Sequence, residues 1–521
     1  GSEMCIRDSN FIFSCYSENT LTPTRWGNAV PEKNVRQLFS LKSPTLAAIN
    51  NFKKTKMKYF LTTALIATII ACNSSDNTQP DPTPDPDPAP EKVSQKATPN
   101  EWSKNAVIYE VNLRQYSEEG TFEAFAKHLP RLKDMGVDIL WFMPIYPIGE
   151  EKRKGTLGSY YAVKDYMAVN SEHGSLEDFK ALVEQIHDMD MYVILDWVAN
   201  HSAWDNHLME EHPDWYTRDD EGNVVPPVDD WSDVADFNFE EKGLWDYQIE
   251  ALKFWVEECD IDGYRCDVAD MVPIEFWKQA TDELEKVKDV FMLAEAETPE
   301  LHDNGFDMTY GWEMHHIMNG LAKGERNPSE LDAYFAKDKE RFPANAYRMH
   351  FTSNHDENSW NGTVRERMGD AVKPFAVFSF AIPGMPLIYS GQEAGLDKRL
   401  EFFEKDVIEW KESEMRELYT QLIALKKVNP ALWNGENGGE MIAIETSDKS
   451  VYSFARKTEE NTVIAVFNLS SEPVSATISN EELLTGTFVS SFNLELSETN
   501  SSVELSGELS VDFEPWGYVI F

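Results

Sequence analysis

The sequence predicts an α/β protein built on a (β/α)8 TIM barrel, with a short inserted subdomain after the third strand and a C-terminal antiparallel β-sandwich domain. Three observations carry this expectation. Between Ala106 and Ser390, short apolar runs alternate with segments of helical periodicity, the pattern of a parallel sheet. Four runs end in polar clusters: DWVANH at Asp196–His201, GYRCD at Gly263–Asp267, LAE at Leu293–Glu295 and FTSNHD at Phe351–Asp356. Carboxylates from separate strand ends meet at one substrate only where parallel strands share a rim, as they do in such a barrel. From about Met441 the texture becomes β-branched alternation, and no useful helix-period segment follows.

Taken in order, residues 1–56 show no sustained periodicity and are read as a non-native upstream segment. Lys53, Lys54, Lys56 and Lys58 then precede the apolar run Phe60–Ala71, which meets Cys72. A basic stretch followed by an apolar run too short to span a bilayer reads as a signal peptide over 57–72. Ile69–Cys72 (IIAC) resembles the bacterial lipoprotein cleavage box, which implies a lipid-modified Cys72 and a start at Met57. A plain secretory signal with an incidental cysteine is the alternative. In the linker 73–100, prolines at 80, 82, 84, 86, 88 and 90 alternate mostly with Asp, which blocks helix and sheet and makes an extended spacer of about 3 Å per residue.

The catalytic barrel is expected over 101–430. Val107–Asn112 is the first strand, Phe122–Met135 a helix closed by Gly136, and Val137–Met143 the second strand. Leu176–Met189 is the next helix, and Tyr192–Leu195 the third strand, stopping at Asp196. The irregular Trp-, Asp- and Pro-rich stretch 202–243 is too long for a βα loop and is read as the inserted subdomain on the catalytic rim. Trp245–Cys259 is a helix leading into the Gly263 strand. Val290–Leu293, Phe306–Tyr310, Arg348–Ser353 and Met385–Ser390 supply the remaining strands. Residues 431–521 form the C-terminal β domain, with strands such as Thr462–Phe467 and Tyr518–Phe521.

Composition narrows the function classes. The chain has 521 residues with 42% hydrophobic and 12% aromatic content, ample for a barrel of about 250–350 residues and smaller pieces beside it. A formal charge of −44 repels phosphates and argues against a nucleic-acid partner. Of five cysteines, Cys259 and Cys266 are the two inside the barrel, too few for a disulfide framework or a Cys-rich metal site. Cys266, between Arg265 and Asp267 on one strand, should point toward the helices, and two buried thiols are expected. The strand-end carboxylates, with Arg265 and the histidines His201 and His355, suggest acid/base and nucleophilic work on a polar, uncharged substrate.

In their order and spacing, the four clusters resemble the conserved regions of the α-amylase superfamily of glycoside hydrolases (family 13 type), over roughly residues 102–521. The resemblance implies Asp267 as nucleophile, Glu295 as general acid/base and Asp356 as a third carboxylate that binds sugar hydroxyls and stabilises the transition state. It places His201 and His355 on sugar hydroxyls, Tyr161 as a stacking aromatic, and Asp196 as a structural acid beside the site. Arg265, two residues before Asp267 on the same strand face, is expected to pair with that nucleophile and keep it ionised. The implied activity is retaining hydrolysis of α-glucosidic bonds in starch-like glucans or malto-oligosaccharides. A transglycosylase, or a non-catalytic glucan-binding lipoprotein, is the alternative. All three carboxylates stand, which argues against the last.

Departures from the family pattern limit the carry-over. Asp270 and Met271 occupy positions where many members carry Lys-His, so a cation toward the sugar beyond the cut is lost, and Met271 stands where many members carry a calcium-site His. Asn200 and Asp236 match two other calcium positions, and two ligands of the six to eight a calcium takes do not establish a site. No metal and no required cofactor is expected, and calcium binding is left open. Val234–Asn238 matches neither the α-1,4 nor the α-1,6 pattern of the family. Lipidation, a spacer and a glucan-cleaving barrel together imply a cell-envelope enzyme, lipid-anchored to the bacterial outer membrane through Cys72 and facing either the surface or the periplasm.

Overall fold

Eight parallel strands close on themselves because the first, Ile108–Val111, bonds both the second, Ile139–Phe142, and the last, Met385–Tyr389, with Ile108 opposite Ile139 on one side and Leu387 on the other. The others run in sequence around the ring: Tyr192–Trp197, Gly263–Cys266, Phe291–Ala294, Met308–Tyr310 and Tyr347–His350. This computed structural model describes residues 99–489, 492–493 and 502–521. The expectations for residues 1–56, the signal peptide, Cys72 and the proline-rich linker through residue 98 lie outside the described residues.

The two-residue period of the strands divides the core into two layers. Ile108, Ile139, Trp141, Ile194, Phe291, Leu293, Met308, Tyr310, Met349, Met385 and Leu387 fill the barrel interior. Their neighbours in sequence, among them Tyr109, Leu140, Leu195, Tyr264, Cys266 and Met292, face the surrounding helices. Cys266 therefore points outward, and both Cys259 and Cys266 are buried free thiols. The helix Leu176–His187 shows how the outer layer is specified. Ser175 and Asp178 form a capping box at its start, and Phe179, Leu182, Val183 and Ile186 make its buried stripe.

One expected helix divides in two. Phe122–Met135 forms Phe122–Ala126 and Leu129–Met135, because Pro130 has no N–H to continue the first ladder and sits instead in the first turn of a second helix. Gly136 closes that second helix with φ 90°, as its position suggested. The seventh strand ends at His350, earlier than the expected Ser353, and the chain then turns inward through Asn354–Asp356.

Gly263 opens the fourth strand at φ 155°, where a Cβ would stand 1.9 Å from the carbonyl oxygen of Phe291 on the next strand. Gly263→Ala is expected to reduce unfolding free energy by about 3 kcal/mol or more, since rigid backbone cannot give way. Urea unfolding measures it, and a loss below about 1 kcal/mol would show that the ladder shifts freely.

The inserted stretch is held by an antiparallel ribbon, His201–Ala203 with Val234–Asp236, and its Ala203 N–H donates to Val163 in the loop after the second strand. After the helix Glu414–Val428, the chain forms an antiparallel five-stranded sheet and a three-stranded sheet around Val451, Ala455, Ile464, Val466, Ile478 and Phe513. Alternate residues of the same strands, Phe454 and Phe467, pack on Phe378 of a barrel helix.

Candidate active site

Strand parity decides which side chains reach the C-terminal mouth of the barrel. Glu110 shares a face with Ile108, Asp196 with Ile194, Glu295 with Leu293, Tyr310 with Met308, and Arg265 and Asp267 with Gly263. Six barrel positions thus place polar groups over an apolar floor. Exposure grades upward: the side chains of Arg265 and Asp196 are fully buried, Asp267 and Glu295 are 10% and 13% exposed, and Asp356 is 38% exposed.

Arg265 is the hub. Its Nη1 donates to Asp196 Oδ1 and to Asp267 Oδ1, both at 2.8 Å, and its Nε donates to Tyr310 Oη at 3.1 Å. Its Nη2 stands 2.8 Å from Glu295 Oε2, an ion contact without the alignment of a hydrogen bond. The rings of Trp141, Tyr161 and Tyr310 surround the guanidinium at 5.1–5.8 Å. Asp196 is further bonded at Oδ2 by Trp141 Nε1 and Tyr161 Oη. Glu295 Oε2 also accepts the N–H of Val268, which takes a left-handed φ of 37° immediately after Asp267.

His355 links this set to the first strand. Its Nδ1 lies 2.5 Å from Glu110 Oε1, and its Nε2 lies 2.7 Å from Tyr161 Oη and 3.4 Å from Asp356 Oδ2. The Tyr161 ring stacks on His355 and, at 13° and 6.2 Å, on Phe402. Beyond Phe402 a cleft of about 300 Å3 is lined by Gly155, Trp360, Arg399, Phe402 and Phe403. Trp360 is presented by the π-turn Glu357–Asn361 that follows Asp356, and it packs on both phenylalanines.

The electrostatics follow from burial and crowding. Burial pushes Glu295 up to about 7; Asp267 and Asp356 add to this against the pull of Arg265. Burial, opposed by Arg265 and supported by Asp196, raises Asp267 to about 6. One guanidinium cannot balance the three carboxylates around it, and all three are raised, Asp196 and Asp267 to about 6 and Glu295 to about 7. For His355 burial acts downward, but the Asp356 and Glu110 carboxylates outweigh it and leave the ring at about 9.

Seven of the expected residues are therefore brought together: Asp196, Arg265, Asp267, Glu295, Asp356, His355 and Tyr161. His201 and Asn200 stand outside this bonded set, at the start of the insert, where Asn200 Nδ2 meets His201 Nδ1 at 3.3 Å and Trp231 faces the His201 ring. Burial holds His201 at about 3, so it is neutral. Asp236 pairs across the ribbon with His201, one residue after Asn200, and among the described residues no group of three His, Cys, Asp or Glu side chains is placed to hold a metal ion.

Glu110, Trp141 and Tyr310 are site residues that the sequence reading missed. For Glu110 a signal was present: a lone acid inside the apolar run Val107–Val111, on the same face as Ile108. Such an acid is buried on purpose or not at all.

The chain matches the family "Alpha amylase, catalytic domain" over residues 74–443 and "Maltogenic Amylase, C-terminal domain" over 441–520. It is 28% identical over 392 residues to Alpha-amylase MalA of Haloarcula japonica, covering 71% of this chain and 56% of that one. It is 26% identical over 391 residues to Alpha-1,4-glucan:maltose-1-phosphate maltosyltransferase of Picrophilus torridus, covering 67% and 59%. The chain thus spans little more than half the length of these two relatives. Among solved structures it is similar to a noncanonic maltogenic alpha-amylase, AmyB, from Thermotoga neapolitana, at 32% identity and a TM-score of 0.71, covering 80% of this chain and 98% of that one. With the catalytic-domain match running through most of its length, and an eight-stranded barrel followed by antiparallel sheets, this chain belongs to the α-amylase family.

Proposed function

We propose that the protein is a retaining glycoside hydrolase that cleaves α-glucosidic bonds in starch-like glucans or malto-oligosaccharides. The observation that carries this reading is Arg265, which holds the nucleophile Asp267 and the acid/base Glu295 at 2.8 Å each. Asp267, kept ionised by that contact, attacks the anomeric carbon while the protonated Glu295 gives its proton to the leaving glycosidic oxygen. Glu295, now a carboxylate, takes a proton from water as it releases the glycosyl-enzyme. Asp356, the most exposed of the acids, meets sugar hydroxyls and the positive charge that develops at the anomeric centre. Asp196 is saturated by Arg265, Trp141 and Tyr161 and serves to orient them.

Product analysis on amylose, pullulan and maltotriose, with proton NMR of the first sugar released, tests the reading. The α-anomer should appear first. A β-anomer would exclude retention, and a folded protein that cleaves none of the three would exclude the hydrolase. The similarity to the Picrophilus transferase supports transfer as a second reading, and maltotriose converted mainly into longer products would favour it. Localisation rests on the basic and apolar run before Cys72. Palmitate labelling of the precursor that vanishes in Cys72→Ala would support a lipid anchor in the cell envelope, and unchanged labelling would remove it.

The cleft beside Phe402 adjoins the stack of Tyr161 on Phe402 and is suited to a further sugar ring of a longer glucan. Trp360→Ala is expected to lower kcat/KM about five- to tenfold for maltohexaose, a stacking contribution near 1 kcal/mol, while leaving an aryl glucoside unaffected. Equal losses on both substrates would dismiss the platform.

A further inference from the structure

Glu110 has no part in the chemistry described so far, yet it is fully buried at the end of the first strand. Its Oε1 takes a 2.5 Å contact from His355 Nδ1, and its Oε2 has no hydrogen-bond partner among the described residues. A buried carboxylate with one bonded oxygen needs a positive partner, since an uncompensated charge in the interior costs several kcal/mol. Arg265 is committed to Asp196, Asp267, Glu295 and Tyr310, so His355 is the cation within reach.

The hydrogen-bond directions then fall into one order. With both ring nitrogens protonated, Nδ1–H donates to Glu110 and Nε2–H donates to Tyr161 Oη at 2.7 Å. Tyr161 has then accepted and can give its own proton only onward, to Asp196 Oδ2 at 3.2 Å. If His355 is neutral, with Nδ1 still bonded to Glu110, Nε2 becomes an acceptor. Tyr161 then turns its proton toward His355 and leaves Asp196. We propose that Glu110 is a positioning residue that keeps His355 doubly protonated, so that Tyr161 donates to Asp196 and the Arg265 hub is fixed from the opposite side of the barrel. The kinetic part of this inference rests on the hydrolase reading; the protonation part does not.

The groups facing His355 are Glu110 from the first strand, Tyr161 from the loop after the second, Asp356 from its own segment, and Arg265 from the fourth strand, which opposes its charge. Trp141 presents its ring edge-on at 6.0 Å. Removing the Glu110 charge leaves the partly exposed Asp356 to offset both Arg265 and burial, so the ring should return to the ordinary value near 6.5 or below. At pH 7.5 it would be charged about one-tenth of the time.

Two measurements test this. In wild-type protein labelled with 15N-histidine, the His355 signal, assigned by its loss in His355→Asn, should show two protonated nitrogens at pH 8. In Glu110→Gln it should show a neutral ring at that pH. A neutral His355 in the wild type, or identical titrations in both proteins, would overturn the proposal whatever the enzyme's activity. In kinetics on maltotriose, Glu110→Gln should lose about tenfold in kcat/KM at pH 7.5 relative to pH 5.5, beyond any wild-type change over the same interval. Its alkaline limb should steepen from one proton to two, as His355 joins Glu295. A uniform loss with an unchanged profile would mark Glu110 as merely structural. If the NMR result holds but no glucan is cleaved, the hydrolase reading fails and the role of Glu110 at His355 stands.

Discussion

Asp267→Asn is expected to abolish turnover while making the protein more stable. On the proposed mechanism the substitution removes the attacking oxygen, so kcat should fall by roughly four to six orders of magnitude, as when the nucleophile of a unit that acts together is removed. Stability should move the other way. In the folded state, burial and the Asp196 carboxylate hold Asp267 at about 6, above the ordinary aspartate value near 4. The ionised side chain therefore opposes folding at any pH above that folded value. An amide of the same shape removes the penalty, a gain of about 1–3 kcal/mol that is full above about pH 6 and fades as pH falls toward 4. Thermal unfolding at pH 7.5 and pH 4.5, beside single-turnover kinetics, reads both effects. A variant less stable than wild type at pH 7.5 would mean that the Arg265 contact outweighs burial. Glu295→Gln should behave differently, keeping much of the glycosylation rate on an aryl glycoside whose leaving group needs no proton.

Arg265→Met should have the second largest effect, in both activity and stability. Methionine fills the space among Trp141, Tyr161 and Tyr310 but leaves Asp196, Asp267 and Glu295 without their shared cation. Removing one partner of a buried charge set typically costs about 3–5 kcal/mol because the others remain uncompensated. The loss should be worst above neutrality and ease as pH falls and the acids take up protons. Loss of a preorganised charge should lower kcat/KM by about 10²–10³-fold. The acid limb of the remaining activity should also move upward, because Asp267 without its cation holds a proton more tightly. A variant with wild-type stability and an unmoved acid limb would mean that Arg265 does not keep the nucleophile ionised.

The fold was largely legible in the sequence because its signals are local. Alternating strand and helix periods define a parallel barrel, the capping box at Ser175 marks a helix start, and Gly136 marks a helix end. Pro130 shows the limit of reading by period: apolar spacing runs through it, yet the missing N–H divides the helix. The placement of the strand-end carboxylates was legible for the same reason. A strand that ends in a charged residue places it on a known face, and two-residue parity needs no knowledge of neighbours.

Only the tertiary structure decided which groups meet across the barrel. His355 and Glu110 are 245 residues apart, and Tyr310 and Arg265 come from different strands, so their contacts depend on closure of the ring and its stagger. Protonation states belong to that level too. Desolvation raises Glu295 to about 7, whereas the neighbouring carboxylates hold His355 at about 9 against desolvation, and all of these act through space. The sequence by itself determined the strands, their order and the acids at their ends. Tertiary structure determined the partners of those acids, because a charge buried by closure must find its counterion among whatever residues the barrel has brought beside it.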